Sequence, residues 1–371
     1  MQETPQRDAV VGSEADLLEV ALTPGGIRAH FQPIVSLRDG SVVGHEALAR
    51  GPRGSALERP DLLFGAARRH GALARLDWAC RAAALRAAEA NDGIGTLFVN
   101  VEPAALGVPG PADAEALWQR ASGRDVVLEL TERALAARPA ELLRVVSELR
   151  EAGWLIALDD VGAESGSLAL MPLLAPDIVK LDLRLVQQQP TRDIAAIVNA
   201  VRAHQERTGA YVVAEGIEHE RHRDTAIAMG ATLGQGWLFG RPQELPAATA
   251  EPGGRLTQIA HPRHLDGATP FEVVGRERSV EGATKPLLLA MSHQLEDQAR
   301  VLDRDVVVLS AFQTAERFTA FSARRYERLA RRAVLVGALG IGLVAEPAPA
   351  VRGARLHDDD PLTDEWSVVV V

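Results

Sequence analysis

Trp154-Leu155-Ile156-Ala157-Leu158-Asp159-Asp160 joins five consecutive apolar residues to two carboxylates. A short apolar run of that length reads as a buried strand, and here the strand ends in metal-binding chemistry. The same arrangement recurs on both sides. Towards the amino terminus Glu129 follows Asp125-Val126-Val127-Leu128, Asn100 follows Thr96-Leu97-Phe98-Val99, and Glu46 follows Ser41-Val42-Val43-Gly44-His45. Towards the carboxyl terminus Lys180 follows Asp177-Ile178-Val179, Glu215 follows Tyr211-Val212-Val213-Ala214, and Gln235 follows Ala231-Thr232-Leu233-Gly234. A random scatter of polar residues would not select strand ends seven times. In a (β/α)8 barrel the carboxyl ends of the strands converge on one mouth, so the pattern predicts a metal-dependent enzyme on an α/β TIM barrel.

The intervening segments carry helical signals. Pro60 to His70 and Leu73 to Ala90 read as helices, and Leu142, Val145, Val146 and Leu149 repeat at the helical period after Pro139. Ile194, Ile197, Val198 and Val201 do so after Pro190. The Asp39-Gly40 turn between residues 28–37 and 41–50 favours a hairpin. The first strand is therefore expected to run antiparallel to the second. Residues 1–22 read as a tail or lead-in helix, 23–245 as the barrel, 246–256 as a turn-rich linker, and 257–371 as a smaller α/β (α+β) domain. In that second domain Leu287–Ala290, Val306–Ser310, Ala333–Leu339 and Trp366–Val371 look strand-like. Met291–Leu302 and Ala315–Arg332 look helical.

The net charge of −10 argues against a nucleic-acid polymer as partner, because non-specific binding needs a basic footprint. An anionic substrate must then be held by local cations. The single Cys80 permits no internal disulfide and fits a reducing cytoplasm. No secretory leader is evident, and the longest apolar run, 333–345, is too short to span a bilayer. Of 40 basic residues only Lys180 and Lys285 are lysines, so each is a departure from a strong arginine default. Glu46, Glu129, Asp159, Asp160 and Glu215 offer hard oxygen ligands and Asn100 a carbonyl oxygen. That set suits Mg²⁺ or Mn²⁺, and the crowding of acids suggests two ions, with Asp160 able to bridge them. His261, His264, His293 and His357 show no ligand spacing and read as surface residues.

These pieces together resemble the EAL-domain cyclic-di-GMP phosphodiesterases. Phe31-Gln32-Pro33-Ile34, Glu46-Ala47-Leu48 with Arg50, Phe98-Val99-Asn100, Glu129-Leu130-Thr131-Glu132 and Asp159-Asp160-Val161-Gly162 follow the family's order. Lys180-Leu181-Asp182, Ala214-Glu215-Gly216-Ile217-Glu218, Gly234-Gln235-Gly236 and Phe239-Gly240-Arg241-Pro242 complete it, over about residues 27–243. The resemblance implies opening of one phosphodiester of cyclic di-GMP to give linear pGpG. It implies that Glu46, Asn100, Glu129, Asp159, Asp160 and Glu215 bind Mg²⁺ or Mn²⁺. Lys180 would assist the attacking water, with Glu215 or the metals activating it. Gln32, Leu48, Arg50, Gln235 and Arg241 would contact the dinucleotide, and Glu132 would anchor the loop after the aspartate pair.

That loop departs from the family. Val161-Gly162-Ala163-Glu164-Ser165-Gly166-Ser167 stands where the family usually has Phe-Gly-Thr-Gly-Tyr-Ser-Ser. A barrel of weak or no activity that binds cyclic di-GMP as a signalling module is therefore the alternative expectation. The second domain resembles the DICT sensory module, through Leu295-Glu296, Ala311-Phe312-Gln313, Arg325-Tyr326, Asp360-Pro361-Leu362 and Glu365-Trp366. It implies control of the barrel by a ligand or signalling partner, within a cytoplasmic homodimer that has no membrane partner.

Overall fold

The computed structural model describes residues 13–102, 105, 107–121, 125–131, 139–163, 167–189, 191–245, 254–259, 268–279, 282–301 and 306–371. Eight strands close into a barrel: β1 (Arg28–Ser36), β2 (Val42–Arg50), β3 (Thr96–Asn100), β4 (Val126–Thr131), β5 (Leu155–Val161), β6 (Ile178–Leu181), β7 (Tyr211–Ala214) and β8 (Leu233–Gln235). β1 pairs antiparallel with β2 and with β8, whereas β2 to β8 run parallel. The hairpin predicted from Asp39-Gly40 is thus present, and Gly40 occupies the left-handed region at φ 74°. β6 and β8 are the short strands of four and three residues. Asp182 ends β6 by capping the helix Leu183–Gln187 through the Arg184 N–H, and Gly236 turns the chain away after β8.

Two layers of apolar packing follow from the two-residue period of the strands. Phe98, Val127, Ala157, Ile178, Val213 and Leu233 fill the barrel interior. Leu97, Val99, Leu128, Leu130, Ile156, Leu158, Val179, Leu181, Val212 and Ala214 face the surrounding helices. Among the described residues no helix is long and apolar enough to cross a membrane.

The interior cluster has one member from outside the strands. Leu256 is only 5 % exposed and packs with Ile34, Val43, Phe98, Val127 and their neighbours inside the barrel. Its flanks are tied to the amino-terminal ends of the strands, opposite the mouth. The Arg255 Nη2 lies 2.5 Å from Asp125 Oδ1, and Gln258 donates to the carbonyls of Arg150 (3.0 Å) and Trp154 (2.8 Å). The Ile259 N–H donates to Asp177 Oδ1 at 3.1 Å. Residues 254–259 therefore form a strap across the barrel base, with Leu256 as its plug, rather than a free tether. Emptying a buried leucine site costs about 2–5 kcal/mol, so Leu256→Ala is expected to lower the thermal midpoint while leaving the mouth intact. Unfolding followed by circular dichroism checks this; an unchanged midpoint would show that the strap carries no stability.

A second sheet has the order β11-β10-β9-β12, from β9 (Val307–Thr314), β10 (Leu335–Ile341), β11 (Arg352–Arg355) and β12 (Ser367–Val370). Three of the four strand-like segments of the sequence are here. The fourth, Leu287–Ala290, is instead part of the helix Lys285–Val301. The physical reason is composition: Leu, Ala and Met are strong helix formers, no β-branched residue interrupts them, and Pro286 occupies the helix's first turn. The missing strand is Arg352-Gly353-Ala354-Arg355, parallel to β10. The apolar run Ser367–Val370 is β12, which pairs antiparallel with β9 and forms one edge of the sheet. Val307 and Leu335, at the starts of β9 and β10, belong to the same apolar cluster as the barrel's helix layer.

Candidate active site

Six of the polar residues picked out in the sequence lie two positions beyond an interior apolar residue: Phe98 and Asn100, Val127 and Glu129, Ala157 and Asp159, Ile178 and Lys180, Val213 and Glu215, Leu233 and Gln235. The strand period therefore directs all six inwards, at the carboxyl ends where the parallel strands open. Glu46 joins them from β2, opposite Phe98 of β3.

Lys180 is the centre of the cluster and only 1 % exposed. Its ammonium lies 2.6 Å from Glu129 Oε1, 2.7 Å from Glu215 Oε1, 3.1 Å from Asp159 Oδ1 and 3.5 Å from Glu46 Oε2. Burial works against its charge, but Asp159, Glu129, Glu215 and Glu46 outweigh it and hold the ammonium well above the ordinary lysine range. The carboxylates respond less evenly. Burial, and then the charge of Glu46, push Glu129 well above the usual carboxylate range. Burial pushes Glu215 up to about 8, with Asp159 and Glu46 adding to it against Lys180. Asp160 is raised by burial and by Asp159. Burial also opposes ionisation of Glu46, yet Lys180 and the amides of Gln235 and Asn100 hold it below the ordinary value.

Five acids face one ammonium, which leaves a formal surplus of four negative charges when all are ionised. Two divalent cations would balance it. Oxygens of Asp159, Asp160 and Glu215 lie within 4.8 Å of one another, close enough to share one ion. Glu129 Oε2 is buried without a hydrogen-bond partner among the described residues, an expensive arrangement unless a charge meets it. Asp160 adopts φ 57°, a left-handed conformation uncommon outside glycine. The donor set is hard oxygen throughout, so the residues fit Mg²⁺, Mn²⁺ or a similar cation.

An amide relay supports Glu46. Gln235 Nε2 donates to Glu46 Oε2 (2.7 Å) and reaches Gln32 Oε1 (3.1 Å). Gln32 in turn donates to the Gly240 carbonyl at 3.0 Å, and Asn100 Nδ2 donates to Glu46 Oε1 at 2.9 Å. Arg50 and Arg241 make no hydrogen bond to this cluster among the described residues. Arg50, half-buried on the same face of β2 as Glu46 and Leu48, donates only to its neighbour's carbonyl, that of Ala49. Leu48 and Asn100 line a 270 Å³ cavity beside the mouth. Glu132 and residues 164–166 of the divergent loop lie outside the described residues.

The sequence reading missed one feature of the mouth. Trp237 is 53 % exposed directly after β8, and the Arg241 guanidinium stacks over its ring at 4.0 Å. Its position two residues after Gln235, in a chain that is only 4 % aromatic, was the available signal.

Residues 15–242 match the family profile of the EAL domain. The chain belongs to the EAL-domain family. Residues 275–371 match the DICT profile, a sensory domain in diguanylate cyclases and two-component systems, so a DICT domain follows the EAL barrel. Among curated relatives, the cyclic di-GMP phosphodiesterase RocR of Pseudomonas aeruginosa is 30 % identical over 63 % of this chain and 62 % of its own length. The probable cyclic di-GMP phosphodiesterase PdeB of Escherichia coli is 31 % identical over 60 % of this chain and 44 % of its own. Both matches span less than two thirds of the relative. Among solved structures, the PaMucR phosphodiesterase in complex with c-di-GMP superposes on 62 % of this chain and 98 % of its own, with TM-score 0.54 and 25 % identity. The Klebsiella pneumoniae BlrP1 manganese/c-di-GMP complex superposes on 60 % of this chain and 57 % of its own, with TM-score 0.52 and 30 % identity.

The backbone of this EAL mouth has little slack. Gly236 sits at φ 155°, and a Cβ there would come within 2.1 Å of the Ile217 carbonyl oxygen. That oxygen and the Ile217 N–H tie the loop after Glu215 to β8, through Leu238 N–H and the Gln235 carbonyl, both at 3.0 Å. Gly236→Ala is therefore expected to separate Glu215 from Gln235, lowering both the thermal midpoint and divalent-cation affinity. Calorimetric titration with Mn²⁺ checks it; unchanged affinity would mean that the loop adapts without moving Glu215.

Proposed function

We propose that the barrel is a metal-dependent phosphodiesterase that hydrolyses cyclic di-GMP to linear pGpG. The observation that carries this reading is the buried Lys180 ammonium among Glu46, Glu129, Asp159 and Glu215, with a charge deficit that fits two divalent cations. The names of the relatives agree with it. Glu46, Asn100, Glu129, Asp159, Asp160 and Glu215 would hold Mg²⁺ or Mn²⁺. Bound there, the cations supply charge neutralisation and Lewis acidity at a phosphodiester.

The chain's own groups do the remaining work. Lys180 orients the attacking water and offsets charge developing on the phosphorus. Glu215, 2.7 Å from that ammonium, accepts the water's proton. Water adds at phosphorus, the bond to the 3′-oxygen breaks, and that oxygen takes up a proton from solvent while Glu215 releases its own, so the product carries a 5′-phosphate. Gln235 and Gln32 keep Glu46 in place. Arg50, which has no carboxylate partner among the described residues, is available for a phosphate. Leu48 and the Trp237–Arg241 stack offer surfaces to the guanine bases.

The DICT domain is proposed to regulate this activity within a cytoplasmic homodimer. Light scattering, together with rates for the full chain and for a chain ending at 259, which keeps the Leu256 strap, tests that part. A monomer whose shortened form keeps the full rate would remove it. A second reading is favoured by the divergent loop 161–167: binding of cyclic di-GMP without turnover. The two are separated by incubation with cyclic di-GMP and Mg²⁺ or Mn²⁺, followed by chromatography. Hydrolysis predicts pGpG that disappears with EDTA. Metal-independent binding by calorimetry, with no pGpG at high enzyme and long times, would replace the enzyme by a binding module.

A further inference from the structure

Lys285, the chain's other lysine, has no part in the barrel. It stands at the rim of a 490 Å³ cavity in the DICT domain, lined also by Leu289, His293, Phe312, Phe321 and Trp366. The volume lies within the range of small-molecule sites. Its base is a satisfied polar network. Arg325 pairs with the buried Glu296, and its Nη1 donates to His293 Nε2 at 2.5 Å. The Tyr326 hydroxyl, 2.7 Å from Ser310 Oγ, donates to Glu296 Oε1 at 3.0 Å. Such a network holds the floor rigid.

The walls, by contrast, are unsatisfied. Phe321 is 59 % exposed, and Leu289 and Trp366 also retain exposed surface. Gln313 enters the cavity from a bulge: the β9–β10 register shifts between Leu339 and Ile341, and Gln313 takes φ 65°. A bulge with a non-glycine residue in the left-handed region re-aims a side chain and persists where the surroundings enforce it. The Gln313 amide has no hydrogen-bond partner among the described residues. Two rim cations, Lys285 and Arg317, likewise have no ion pair among the described residues and face one acid, Glu316. In a chain of net charge −10, that local excess of positive charge is out of character.

We propose that this cavity is the DICT domain's ligand site and that it takes a flat aromatic molecule bearing one anionic group. The ring would lie against Phe312, Phe321 and Trp366, the anion would meet Arg317 and Lys285, and Gln313 would bond a polar edge. Nothing in this assignment depends on the barrel's chemistry.

Calorimetry on the full chain with 2-naphthoate, and with neutral 2-naphthalenemethanol as control, tests it. One site per chain is expected, with Kd near ~0.1 mM for a ligand of two rings. The neutral analogue should bind about 10-fold more weakly, the effect of one charge-assisted contact. Arg317→Ala should weaken naphthoate about 10-fold and leave naphthalenemethanol unchanged, whereas Phe321→Ala should weaken both. Both substitutions are at exposed positions, so the fold is retained. Absence of saturable naphthoate binding at millimolar concentrations would overturn the assignment. So would binding that neither substitution alters, or that does not distinguish the two probes.

Discussion

Glu46→Ala is expected to abolish measurable hydrolysis of cyclic di-GMP while the barrel remains folded. Losing a group that only supports a metal ligand already costs about 10–100-fold, and Glu46 would itself be a ligand, so the loss should exceed about 100-fold. The substitution also strips the acceptor from Gln235 Nε2 and Asn100 Nδ2, which hold Glu46 at 2.7 Å and 2.9 Å. Steady-state rates with Mn²⁺ and circular dichroism on the same sample check it. Rates within a few-fold of wild type, in a folded variant, would mean that Glu46 holds no essential cation.

Lys180→Met should have the second large effect, with a different signature. The ammonium is buried and meets four carboxylates. Removing one partner from a buried ionic cluster costs about 3–5 kcal/mol, so the variant treated with EDTA should melt well below wild type. Cations can replace the missing charge, so Mn²⁺ should raise its midpoint more than that of wild type. Turnover should still fall about 10²–10³-fold, because the group that stabilises charge at phosphorus is gone. Equal midpoints for variant and wild type in EDTA would show that Lys180 does not hold the acids together.

Much of this site is legible in the sequence because the strand period does the positioning. A polar residue two places after Phe98, Val127, Ala157, Ile178, Val213 or Leu233 must share their inward face. The antiparallel β1 was legible from Asp39-Gly40 for an equally local reason. What the sequence did not reveal depends on contacts between distant segments. Leu256 is a single apolar residue between Arg255 and Thr257, with no periodicity to mark it, yet it closes the barrel base. Arg352-Gly353-Ala354-Arg355 has no strand pattern, yet it pairs with β10, and Gly353 leaves room for the Val344 carbonyl where a Cβ would stand. Leu287–Ala290 misled in the other direction, since an apolar run of four does not distinguish strand from helix. The seven strand ends predict a shared mouth, but the direct contact of four carboxylates with Lys180 follows from barrel closure, which no local pattern records.

The most direct test of the proposed chemistry is hydrolysis in H₂¹⁸O, with products resolved by mass spectrometry. With Mn²⁺ or Mg²⁺ present, wild type is expected to yield pGpG carrying one ¹⁸O in its 5′-phosphate, with none formed in EDTA or by Glu46→Ala. Unchanged cyclic di-GMP in every metal-loaded sample, or pGpG without the label, would contradict attack by water at phosphorus in this mouth.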